Sequence, residues 1–256
     1  MIIENGVLIE VFEDDIVNGV FEIPKEVTSI YEDAFTYLKK LESVVFHDNV
    51  TTIGEHAFYD CVNLKNVQLP KRLVDIGEGA FSSCRNLTKI SIPENVVRIR
   101  EGTFSECTSL EEVDLPEGIL MIDDRAFYGC KKLNVINIPD GVKKIGGEAF
   151  GYCENIKKIN LPKGINRIEP NTFIGCKSLE EIFIPENVKV LDSHAFRHCI
   201  GLKEITLPIA LESMDFGVFT NCKNLRKVTI PGNSTQLGFT AFEKCDNLKD
   251  IYTEKF

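Results

Sequence analysis

The chain has 256 residues, 39 acidic and 29 basic side chains for a net charge of −10, and a hydrophobic fraction of 43%. No basic stripe offsets phosphate repulsion, which excludes nucleic acid as a partner, and no run of about 18 apolar residues could span a membrane as a helix. The charge is uneven: residues 1–33 hold nine acids against the single base Lys25, and the rest is nearly neutral, with 30 acids and 28 bases.

The opening MIIENGVLIEVFEDD has neither a basic n-region nor an uninterrupted apolar h-region, so it does not read as a secretory signal. With many cysteines expected to be reduced, this points to a cytoplasmic chain as it stands, or to a secreted or cell-surface one if a leader was removed. Within the opening, Ile3, Val7, Leu8, Ile9, Val11 and Phe12 surround Asn5-Gly6, a hairpin-type turn signal. Residues 1–29 are therefore expected to form an N-terminal cap and a first partial repeat. Its acidity fits a solvated end that keeps an elongated molecule soluble.

Over residues 30–256 a 23-residue unit, I-x-x-x-A-F-x-x-C-x-x-L-x-x-I-x-I-P-x-x-V-x-x, recurs ten times, the last copy incomplete. Its phenylalanines run without a slip from Phe35 to Phe242. A fixed period of this length predicts a solenoid, one continuous domain in which neighbouring rungs bury each other's apolar side. In the rung Ile76 to Arg98, the alternation at Ile90 and Ile92 reads as a short strand that Pro93 ends. Ala80, Phe81 and Cys84 have the spacing of one or two turns of α- or 3₁₀-helix. The expected fold is an α/β solenoid, a right-handed leucine-rich-repeat-like superhelix. Each rung has one short strand and one short helical turn, and a single parallel sheet lines the concave side.

All nine cysteines hold one place in the unit, from Cys61 to Cys245. Stacked rungs place equivalent side chains about 4.8 Å apart, whereas a disulfide needs sulfurs about 2 Å apart. The cysteines are expected to form a column of buried thiols acting as small hydrophobes. At the ends the pattern changes. Leu38 replaces the first cysteine and His47 the first proline of the full repeats, and Ser234 stands where earlier repeats have an apolar residue. The chain stops in mid-unit at Ile251-Tyr252-Thr253-Glu254-Lys255-Phe256, so a partner could contact an uncapped last rung.

L-x-x-I-x-I-P followed by I-x-x-x-A-F-x-x-C resembles the BspA-like leucine-rich repeat family over residues 20–253, and Ile3-Glu4-Asn5-Gly6-Val7-Leu8 resembles the segment before the family's first repeat. The resemblance implies a surface protein of host-associated or anaerobic bacteria, or of parasitic protists, that binds host matrix proteins or mediates aggregation. It implies no catalytic residues.

Candidates for chemistry are few. His194 and His198, four apart, would share a helix face as two metal ligands can, but the equivalent positions elsewhere hold Glu, Gly, Arg, Ser or Lys and read as variable outward sites. A cysteine nucleophile needs one thiol unlike the others and a neighbouring base; nine equivalent thiols offer neither. No enzyme, metal site or cofactor is expected. A ligand would be read at the outward strand positions, which are mostly polar. Phe183 is the aromatic exception, and with Glu181, Asn160, Lys158, Thr206, Glu204, Val135 and Asp114 it forms the candidate binding surface. The expected function is a non-enzymatic, protein-binding solenoid using its strand face. The alternative is a structural or adhesive segment of a cell-surface protein that binds host or matrix proteins, and carbohydrate binding on the same face is a third reading, disfavoured because the rows are short of aromatics.

Overall fold

The computed structural model describes residues 1–231, 236–237 and 240–254, and the side chains of all of these except 231, 236–237, 253 and 254. Ser234 and its neighbours, and Lys255 and Phe256, lie outside the described residues.

Each rung repeats one path. A strand of two to five residues, such as Lys89–Ser91, ends at the proline register. A turn follows, closed by a bond of the type Val96 N–H to Pro93 O at 3.1 Å. A second strand of two residues comes next, here Arg98–Ile99. Two parallel ladders result, rather than the single sheet expected from sequence. In the first, Val20 pairs with Ser43, Lys158 with Glu181, and Lys227 with Asp250. In the second, Ser29 pairs with Thr52, Arg98 with Met121, and Val190 with Ser213. The second strand escapes a sequence reading because two residues are too few to show a period of two.

The third side of the rung has no helical turn, contrary to expectation. Among the described residues the only helix is a 3₁₀ turn, Glu13–Asp15, in the cap. The spacing of Ala80, Phe81 and Cys84 comes instead from a tight double turn. The residues two before and two after each core Phe sit in the left-handed region, for example His56 (φ 52) and Asp60 (φ 53) around Phe58. Two left-handed residues in five break any run of i→i−4 bonds. Their N–H groups, and that of Phe58 between them, point along the stack to the next rung: His56 to Glu78 O at 2.8 Å, Phe58 to Ala80 O at 2.8 Å, and Asp60 to Ser82 O at 2.9 Å. The alternate residues bond within the turn, as Tyr59 N–H does to His56 O at 2.8 Å. Backbone satisfaction is thus split between the rung and its neighbour, which ties the turn side together as firmly as the strand side.

Inside these three walls the apolar columns run unbroken. The rings from Phe35 to Phe242 stack with centroids 4.5–5.7 Å apart and interplanar angles of 2–20°. Offset stacking of this kind adds about 0.5–1.5 kcal/mol per pair beyond area burial. All nine cysteines are buried and free, and each has a role that a plain hydrophobe would not fill. Cys153 Sγ donates to Phe127 O of the preceding rung at 3.1 Å, and all nine repeat the bond, at 3.0–3.2 Å. That carbonyl already accepts Cys130 N–H at 3.2 Å, so the thiol satisfies its second lone pair. The same device recurs where Thr replaces Ala: the Thr103 hydroxyl donates to Arg100 O at 2.9 Å and Thr172 to Glu169 O at 2.7 Å.

The ends follow the chemistry of their sequences. Asn5 and Gly6 both have positive φ (49° and 78°) and turn a hairpin. Its strands, Ile2–Glu4 and Val7–Glu10, extend the short-strand ladder by pairing Leu8 with Ile30. At the far end Asp250–Glu254 pairs with Lys227–Pro231 across five positions, so register holds through Glu254.

Candidate functional site

The long-strand ladder presents two outward rows, because alternate residues of a strand point to opposite faces. Ile159, Ile182 and Ile205 point inward and are buried. On either side of them, Lys158 and Asn160, Glu181 and Phe183, and Glu204 and Thr206 are exposed. Asn160 is the register partner of Phe183, and Lys158 that of Glu181, with a 3.6 Å ion pair between them. Both members of that pair face water, so it orients side chains more than it stabilises.

Phe183 is 64% exposed. An aromatic ring held in water on a regular sheet contributes nothing to the core below it. Val135 is exposed on the same face, and so is Val45. Asp114 is exposed but occupied: it accepts from Ser91 Oγ at 2.8 Å, and Lys89 Nζ lies 3.3 Å away. Those bonds hold its carboxyl below the ordinary carboxylate range, the Ser91 bond most strongly. All eight candidate residues therefore lie on the strand face, spread over its middle and later rungs. One row position departs from the pattern. Thr229 is buried, beside its register partner Tyr252, whose ring sits 5.3 Å from Lys227 Nζ.

A further concavity on this face lies nearer the N-terminus. A groove of about 980 Å³ runs past Val45, Phe46, Asn66, Gln68, Ser91 and Asn95. Sequence reasoning missed it. The signal was present in side-chain volume: Ser43, Asn66, Gln68 and Ser91 are short or medium polar groups on consecutive rungs, so the face is low there.

Among the described residues no group of three or more His, Cys, Asp and Glu side chains is placed to hold a metal ion. With no helix to align them, His194 and His198 occupy the two left-handed positions flanking Phe196 (φ 58 and 63). The His194 ring packs edge-on against Phe216, centroids 4.8 Å apart, and His198 bonds Asn221 at 2.5 Å. Burial first, and Arg197 next, lower both imidazole pKa values. Eight of the nine thiols are shifted away from the thiolate, Cys245 being the exception. Burial pushes the Cys107 and Cys176 thiols up to about 12, the opposite of what activation requires. Among the described residues no helix is long and apolar enough to cross a membrane.

A stack of short parallel strands with a 23-residue period and a leucine column defines a leucine-rich-repeat solenoid. The sequence profile of the BspA-type leucine-rich repeat region, a six-copy unit, matches residues 10–134 and 121–249, and the chain belongs to that family. No curated protein matches it significantly. Among solved structures it is similar to a leucine-rich repeat protein of Bacteroides ovatus, at 27% identity and TM-score 0.66, covering 91% of this chain and 78% of that one. It is also similar to a leucine-rich cell surface protein of Faecalibacterium prausnitzii, at 26% identity and TM-score 0.54, covering 93% and 79%. The pneumococcal vaccine antigen PcpA shares the fold at 21% identity, TM-score 0.59, covering 92% and 68%.

Proposed function

We propose that the chain is a non-enzymatic binding module that recognises a protein partner on its long-strand face. Phe183 anchors the contact, and Val135, Lys158, Asn160, Glu181, Glu204, Thr206 and Asp114 read the partner around it. The observation that carries this reading is Phe183 itself, an exposed ring flanked by Asn160 and Thr206 on adjacent strands. A central aromatic with a polar surround is the usual composition of a binding hot spot. The core positions repeat from rung to rung and the outward rows do not, so partner specificity resides in the rows.

The likeness to the F. prausnitzii protein supports a cell-surface setting, in which this face would serve adhesion to host or matrix proteins. The test compares immobilised wild type with the double variant Phe183→Ala, Glu181→Lys and with Ser105→Lys on the turn side, each offered a panel of matrix and cell-surface proteins. The reading expects a saturable partner for wild type and Ser105→Lys that the double variant binds at least tenfold more weakly. Loss confined to Ser105→Lys contradicts it.

A further inference from the structure

A second concavity lies on the turn side and is independent of the strand-face reading. Tyr152, Gly175, His198 and Asn221 hold one register position, two residues after the core Phe, and Lys177, Ile200 and Lys223 hold another, two residues later. Together they line a pocket of about 440 Å³, within the range of small-molecule sites, roughly 300–1,000 Å³. Gly175 opens it. Its φ is +70°, and a Cβ there would lie 2.7 Å from Cδ1 of Tyr152, whose ring leans over it. Tyr128 in turn holds that ring edge-on at 5.4 Å.

The polar groups are set for an anion. The Asn221 amide donates to His198 Nδ1 at 2.5 Å. With Nδ1 accepting, the neutral imidazole carries its proton on Nε2, which leaves one N–H donor for the pocket that the ring lines. Burial first, then Arg197, His194, Lys244 and Lys177 around it, lowers the His198 pKa and so favours the neutral ring. Lys177 is paired with Glu154 at 2.9 Å. Lys223 has no carboxylate partner among the described residues, and Arg197 next to His198 buries an Nε with no hydrogen-bond partner. In a chain of net charge −10, this is a local excess of positive charge beside an aromatic and an aliphatic wall.

We propose that this pocket binds a small carboxylate ligand with an apolar face, an acidic sugar of the hexuronate class. Lys223 and the His198 Nε2–H take the carboxylate, and Tyr152 and Ile200 pack against the C–H face of the ring. One free ammonium and one neutral N–H suit a monoanion better than a phosphate dianion, which calls for several charged donors.

Histidine-selective NMR on the intact chain tests it, because only His47, His56, His194 and His198 contribute signals. Sodium glucuronate is expected to shift His198 saturably and to leave His47 and His56 unmoved, with glucose and sodium acetate at least tenfold weaker. Lys223→Glu, at an exposed position, is expected to weaken glucuronate about tenfold or more with an unchanged melting temperature. Absence of a saturable His198 shift overturns the proposal. So do equal responses to glucose or acetate, or a Lys223→Glu variant that binds as wild type does.

Discussion

Raising the pH from 8 to 10 is expected to dismantle the solenoid from inside. Eight of the nine thiols have pKa values pushed up by burial, and for Cys61, Cys107 and Cys176 the value reaches about 12 against an ordinary 9.0. The folded state therefore holds these protons where the unfolded chain releases them. The stabilisation is complete below pH 9 and is lost as pH rises from 9 towards 12, so stability falls with pH across that window. One unit above the unfolded value the loss is about 1.4 kcal/mol per thiol. Over eight thiols it reaches roughly 11 kcal/mol, comparable to the whole stability of a domain, about 5–15 kcal/mol. Circular dichroism and thiolate absorbance followed together are expected to change in one step near pH 10. The exception is Cys245 in the last rung, whose pKa is lowered by the neighbouring Cys222 thiol. Removing one interior thiol, as in Cys153→Ala, is expected to flatten the pH slope by about 1.4 kcal/mol per unit. Thiolate absorbance rising near pH 9 while the dichroism stays constant would refute the buried-column reasoning.

Phe127, fully buried between Phe104 at 5.6 Å and Phe150 at 5.5 Å, leaves a cavity on change to Ala and is expected to cost about 3–5 kcal/mol in chemical denaturation. Phe242 is only half-buried, stacked on Phe219 at 5.5 Å, so Phe242→Ala is expected to cost much less; equal losses would contradict a weakly held last rung. In native protein, mass spectrometry after brief alkylation is expected to find Cys245 labelled first, and uniform labelling would show that the column opens as a whole. Phe183→Ala is expected to leave the melting temperature unchanged, within about 0.5 kcal/mol, since its ring already lies in water.

The repeat, its register and its buried columns were legible in the sequence because stacking forces the same residue into the same place on every rung. Phe35 to Phe242 and the cysteines needed only counting. The turn side was not legible by the same means. Ala80, Phe81 and Cys84 have helical spacing, and a double turn that buries the same three residues shows the same spacing. The distinguishing signal sat two residues to either side of each Phe. Asp33, His56, Gly79, Gly102, Gly129, Asn171, Gly175, His194, His198, Gly217 and Asn221 all stand there, and Gly, Asn, Asp and His are the residues that enter the left-handed region most readily. The hydrogen bond from each thiol to a Phe carbonyl was hidden as well, because it links residues 26 apart on different rungs. Of the candidate surface, the outward rows followed from alternation alone. The groove at Asn66 and Gln68 did not, since it depends on side-chain volumes summed over several rungs.

Recognition by the long-strand face is tested most directly by photo-crosslinking. A photoreactive amino acid is placed singly at position 183 and at position 105, and each variant is exposed to the partner found by the binding panel. The account predicts a covalent adduct from position 183, on the strand face, and none from position 105 on the turn side. Adducts from position 105 with none from 183 would contradict it.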